Sequence, residues 1–142
     1  MAAPRVYLAG RYSRLTEIAE YAKDLEAIGF EVTSRWLSGI HGADDGDKTE
    51  WMRFASDDWE DIESADVFVV FTCHDPGRRG GYHVEFGLAM AQDLICVVVG
   101  PVENIFYTLA DGRFGTWRET LEWLEEYVQA YYFTTSLSAE GL

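Results

Sequence analysis

Glu85 is the residue whose setting most invites chemistry. It lies about one turn into an apolar helical stretch, His83 to Ala91, that opens behind Gly80-Gly81 at the carboxyl end of a hydrophobic strand. A helix N-terminus favours the ionised form of a carboxylate placed there. The two glycines let a ligand approach the backbone, and Gly87 removes a side chain two residues further on. An ionised carboxylate in a crevice can attack a sugar carbon as a nucleophile. An acid that only complements the helix dipole fits the same pattern, so the reading needs partners.

A glycosidic reaction requires a second carboxyl in a different environment, one protonating the leaving group while the other attacks. The stretch Glu50 to Ser64 offers Asp57, Asp58, Glu60, Asp61 and Glu63. Most acids in such a run form a solvated helix face, and the pattern does not choose among them. Basic groups gather at two places, Gly10-Arg11-Tyr12-Ser13-Arg14 and the loop Thr72 to Gly81, which carries Arg78 and Arg79. Both suit an anion, although arginines in an acidic chain also pair with surface carboxylates. A third strand end, Gly100-Pro101-Val102-Glu103-Asn104, opens on the same side.

Metal ligation has little support. The three histidines lack clustered spacing, and Asp44-Asp45-Gly46-Asp47 lacks the alternating ligands and closing glutamate of a calcium loop. Neither metal nor cofactor is expected. Trp36, Trp51 and Trp59 flank that segment and are candidates for stacking on a base or for ordinary core positions.

The elements that must position these groups alternate. Arg5 to Ala9 is a short β-prone run, followed by a helical face of Leu15, Ile18, Ala19, Ala22, Leu25 and Ile28, with Ser13 as N-cap and Gly29 as stop. Phe30 to Arg35 reads as a second strand, Ser38 to Lys48 as a loop, and Glu50 to Ser64 as an acidic helix. Val67 to Phe71 and Leu94 to Val99 are continuous apolar strands of the kind buried on both faces of a parallel sheet. A capping box of Thr116 and Glu119 starts a last helix, and the residues after Phe133 are expected to fray or serve a contact. Alternation of strand and helix predicts an α/β sheet, with ligands beyond the carboxyl ends of its strands.

Length and composition agree with one domain over residues 1–142. The chain is 48% hydrophobic and 25% charged, which excludes disorder and fibrous repeats. Its 11 basic and 25 acidic residues give a net charge of −14, which repels phosphate backbones and anionic lipid. Neither polymeric nucleic acid nor a membrane is an expected partner. Two cysteines without a paired framework, Cys73 and Cys96, fit a reducing compartment, and no apolar stretch reaches the roughly 18 residues of a membrane span. A cytoplasmic protein is expected.

Taken together, Val6-Tyr7-Leu8-Ala9-Gly10, Asp58 followed by Ala65-Asp66, Gly80-Gly81, and Glu85-Phe86-Gly87-Leu88-Ala89-Met90-Ala91 resemble the nucleoside 2-deoxyribosyltransferase family, which includes the 2'-deoxynucleoside 5'-phosphate N-hydrolases. The resemblance runs from about Arg5 to Asn104. It implies a five-stranded parallel sheet with helices on both faces, a Rossmann- or flavodoxin-like three-layer sandwich. It implies Glu85 as nucleophile at the anomeric carbon, Asp58 as proton donor to the leaving base, and Tyr7 as the hydroxyl that orients the glutamate. Asp66 is then a supporting acid. A neighbouring subunit lends an asparagine or serine in this family, for which Asn104 is the candidate, so a homodimer or higher homo-oligomer is expected. Gly10, Arg11, Gly81 and His83 would line the substrate site, although a surface role for His83 fits equally.

The sixth residue before the nucleophile distinguishes branches of the family, being acidic in nucleoside transferases and a small hydroxyl residue in nucleotide hydrolases. This chain departs from both with Arg79, preceded by Arg78 and faced by Arg11. A guanidinium fork matches a phosphate dianion, which points to a nucleoside 5'-monophosphate. The implied activity is N-glycosidic cleavage of such a nucleotide through a glutamyl-glycosyl intermediate. Base exchange between deoxynucleosides, and nucleotide binding without turnover, are the alternatives.

Overall fold

The computed structural model describes residues 2–39, 48–74 and 80–139. Five parallel strands form one sheet: β1 (Arg5–Ala9), β2 (Glu31–Val32), β3 (Val67–Phe71), β4 (Ile95–Val99) and β5 (Gly112–Phe114), in the order β2-β1-β3-β4-β5. The described helices are α1 (Leu15–Ala27), α2 (Trp51–Glu63), α3 (Gly81–Ala91) and α4 (Trp117–Ala139). Contacts pair α1 with α4 and α2 with α3, one pair on each face. The expected three-layer α/β sandwich is therefore present.

Burial explains the strand sequences. All five residues of β3 are buried, because the strand is central and helices cover both its faces. Its side chains alternate: Phe68 turns to α3, where it meets Phe86, and Phe71 turns to α1 and α4, where it meets Tyr21 and Trp117. Tyr7 pairs in register with Phe68 and stacks flat on it, so it also faces the α2–α3 layer.

Several boundaries differ from expectation. The second strand pairs only through Glu31 and Val32, because the chain then turns into a 3-10 segment, Arg35–Ser38. Side chains replace the missing ladder: the Leu8 N–H donates to Ser34 Oγ at 2.7 Å, and Trp36 Nε1 donates to the Leu8 carbonyl at 2.7 Å. Ser13 is not an N-cap; Tyr12–Arg14 form a 3-10 turn, and α1 starts at Leu15 without a side-chain cap. Gly29 does end α1, at a φ of +115°.

At the other end of the chain, half of the expected capping box is made, with Glu119 N–H donating to Thr116 Oγ1 at 3.2 Å, while the Glu119 carboxylate accepts from the Thr116 hydroxyl at 2.9 Å instead of from its main-chain N–H. The described segment after Phe133, up to Ala139, is helical rather than frayed. It continues α4, aided by Thr135, whose hydroxyl donates to the Tyr131 carbonyl at 2.8 Å, and by the edge-on packing of Tyr131 and Tyr132.

Candidate active site

The strand order reverses between β1 and β3, and a crevice at such a switch point is where ligands bind in open α/β sheets. Three elements carry the side chains expected there. Tyr7 comes from β1, Asp58 from α2 and Glu85 from α3. Tyr7 is fully buried on Phe68, and its hydroxyl donates to Glu85 Oε2. Burial and the nearby charges of Glu85 and Asp58 raise the Tyr7 pKa well above the ordinary phenol value, so the hydroxyl keeps its proton.

Both carboxyls are held away from their usual acidity. Burial pushes Glu85 up to about 8, with the Asp58 charge adding to the rise and the Tyr7 hydrogen bond opposing it. The expectation that the helix N-terminus keeps Glu85 ionised is corrected here. Glu85 is the fifth residue of α3, and the dipole's pull fades within the first turn, whereas burial acts in full. Asp58 is pushed up to about 7 by burial and by the neighbouring charges of Asp61 and Asp57, while Arg35 opposes the rise. Two coupled acids titrating near neutrality can share one proton, as paired donor and nucleophile must.

The other expected site residues divide. Gly81 opens α3 behind Gly80, which takes the left-handed conformation at φ +71°, and among the described residues a Cβ at Gly81 would meet nothing within 4 Å. Gly10 has a packing reason instead, since a Cβ there would fall 2.5 Å from Ile18 Cδ1. Arg11 stands at the carboxyl end of β1, where its carbonyl accepts the Arg14 N–H at 2.9 Å. Arg14 is committed to Glu17 through two 2.8 Å bonds and to the Thr72 carbonyl at 3.2 Å. Asp66 supports the fold by accepting the Arg5 N–H at 2.8 Å. Arg78, Arg79 and the Asp44–Asp47 loop lie outside the described residues.

His83 lies two residues from Glu85, about 200° around the helix, and so projects from the opposite flank of α3. Its Nδ1 is 2.6 Å from the Tyr107 hydroxyl, and its Nε2 is 3.5 Å from Glu103 Oε2. Asn104 caps the 3-10 segment Ile105–Leu109, its Oδ1 accepting the Phe106 N–H at 2.9 Å. Of the three tryptophans, Trp36 is core, whereas Trp51 and Trp59 are exposed on α2.

No protein-family model matches this chain, and no curated protein does. Solved structures do. A 2-deoxyribosyltransferase from Bacillus psychrosaccharolyticus is similar over 82% of this chain and 90% of its own, with a TM-score of 0.65 at 18% identity. The CMP N-glycosidase BcmB of Clostridium botulinum is similar over 85% and 98%, with a TM-score of 0.55 at 21% identity. A conserved protein from Enterococcus faecalis V583 is similar over 85% and 96%, with a TM-score of 0.66 at 15% identity. The fold is the deoxyribosyltransferase fold.

Within that fold, two groups here escaped sequence reasoning. Glu103 has a largely buried carboxylate that accepts from the Cys73 N–H at 3.0 Å and from the Tyr82 hydroxyl. It stands in the strand-end stretch that sequence reading flagged, one residue before Asn104. Arg35 and Asp61 form the second group. Asp61 is buried and accepts from both the main chain and the guanidinium of Arg35. The available signal was an arginine closing a predicted strand beside an acid-rich helix.

Proposed function

We propose that this chain is an N-glycosidase that cleaves the base–sugar bond of a nucleoside or deoxynucleoside 5'-monophosphate. The observation that carries the reading is the convergence of Tyr7, Asp58 and Glu85, from three separate elements, on the crevice where the strand order reverses. In the proposed reaction a Glu85 oxygen attacks C1', the C1'–N bond breaks, and the Asp58 proton passes to the departing nitrogen. Water then attacks C1' of the glycosyl-glutamate and gives a proton to Asp58, the C1'–O bond to Glu85 breaks with its electron pair returning to the carboxylate, and the free sugar phosphate leaves.

The productive state has the proton on Asp58 and the charge on Glu85. Positive charge building on the sugar stabilises that arrangement, and the Tyr7 hydroxyl holds the carboxylate on line. Gly10, Arg11, Arg78, Arg79 and Gly81 remain the proposed substrate-contacting positions, with Asn104 proposed as the residue lent to a neighbouring subunit, whereas His83 belongs to the Tyr107–Glu103 cluster on the other flank of α3. The arginines favour a 5'-phosphate, in keeping with the likeness to a CMP N-glycosidase. Likeness to a 2-deoxyribosyltransferase supports the second reading, base exchange, in which an acceptor base replaces water. Incubation with a panel of nucleotides should release free base, and Glu85→Gln should abolish the release. Absence of base release from every nucleotide and nucleoside, with or without an acceptor base, would sink both readings.

The proposed setting is a cytoplasmic homo-oligomer that needs no metal or cofactor. No described helix is long and apolar enough to cross a membrane. Val102, Ile105, Phe106 and Leu109 are large exposed apolar side chains close together in the chain, and they support the oligomeric reading.

A further inference from the structure

Three of the five acids of α2, Asp57, Glu60 and Asp61, meet the same cation. Arg35 grips Asp61 at both oxygens, the main-chain N–H to Oδ2 at 2.9 Å and Nε to Oδ1 at 2.8 Å. The same guanidinium donates to the Asp57 carbonyl at 3.3 Å and lies 3.6 Å from Asp57 Oδ1 and 3.7 Å from Glu60 Oε1. Asp61 is fixed again through its own carbonyl, which accepts the Thr33 hydroxyl at 2.9 Å. Asp58 sits between these anchors, one residue after Asp57 and nearly one turn before Asp61, on a helix where adjacent like charges would otherwise repel. A two-point bond to a buried carboxylate fixes both the height and the rotation of α2 against the β1–β2 edge. Rotation of α2 decides which of its acids faces Glu85.

Resting on the proposed function, we propose that Arg35 is the positioning residue for the proton donor: its grip on Asp61 and Asp57 aims Asp58 at the leaving base. Arg35 touches neither Tyr7 nor Glu85 in any described contact, and its role is to act through α2.

The test compares an accepted nucleotide with its ring-fluorinated counterpart, whose base departs with less need of a proton. Asp58→Asn sets the benchmark, a large loss on the parent substrate and a smaller one on the fluorinated substrate. Arg35→Met should reproduce that pattern, losing about 10²-fold in kcat on the parent, within the range general acids supply, and clearly less on the fluorinated substrate. Arg35→Lys, which keeps the charge without the fork, should recover only part of the loss. Should Arg35→Met misfold, Asp61→Asn and Arg35→Lys are read for the same selective loss. Equal losses on both substrates, or none, would overturn the positioning role. A wild-type enzyme that releases no base from any nucleotide would instead overturn the underlying functional reading.

Discussion

The carboxyl of Glu85 is raised by burial and restrained by one hydroxyl, and this balance is measurable. Removing the hydroxyl by Tyr7→Phe raises Glu85 further, so the alkaline limb of kcat/KM against pH should move upward. The maximum should fall about 10- to 100-fold, the worth of a hydrogen bond to a charged group. The wild-type profile should be a narrow bell centred between about 7 and 8, reporting Asp58 and Glu85 as a coupled pair. Stability carries the same signature. Glu85 binds its proton more tightly folded than unfolded, so the fold loses stability as pH rises from the ordinary carboxyl value of 4.5 through about 8. Glu85→Gln should therefore melt like wild type at pH 5 and be more stable by roughly 2–4 kcal/mol at pH 9. Thermal melts at the two pH values check this. At this scale Glu85 stood out by its setting, whereas Asp58 was picked out only through resemblance, since periodicity could not separate it from Asp57 or Asp61. What separates them is tertiary: Asp61 is spent on Arg35 and its charge is felt at Tyr7, whereas the charge of Asp58 is felt at both Tyr7 and Glu85.

Among the elements, the doubly buried strands were the most legible, because β3 and β4 are continuous apolar runs whose sequence admits little else. The fifth strand was not visible in the residues themselves. Gly112-Arg113-Phe114 is three residues long, with one residue buried, and pairing with β4 rather than any local pattern creates it. The second strand, read as Phe30 to Arg35, was read too long for a related reason, since the chain leaves the ladder after Val32 and Ser34 serves β1 with its side chain instead. Gly100 joins these elements. It ends β4 at φ +120°, and a Cβ there would lie 2.6 Å from Thr72 Oγ1 and 2.8 Å from the Thr72 carbonyl oxygen. Gly100→Ala should cost about 3 kcal/mol, combining a strained backbone with a clash against main chain, as read from denaturant unfolding.

For the whole molecule, the charge of −14 and the apolar segment after β4 make opposite demands on self-association. The segment Ile105–Leu109 is held from beneath by Tyr107, fully buried against Phe86, which leaves Ile105, Phe106 and Leu109 facing outward on a rigid base. In light scattering after gel filtration the chain should run as a dimer or larger, and more completely at high salt, where the like charges are screened. Phe106→Asp should shift it to monomer. A wild-type monomer at micromolar concentration would remove the oligomeric reading.

The side-chain seal on β1 has a consequence for colloidal behaviour. A strand edge with open amide and carbonyl groups is a template on which another chain can add, and half of β1 would present such an edge if β2 were all that covered it. Ser34 and Trp36 close it with groups that cannot propagate a ladder. The Leu8 amide should exchange with deuterium far more slowly in the wild type than in Ser34→Ala. That variant should also be the one that precipitates on mild warming, at a place in the chain one residue from Tyr7, whose hydroxyl is bonded to Glu85.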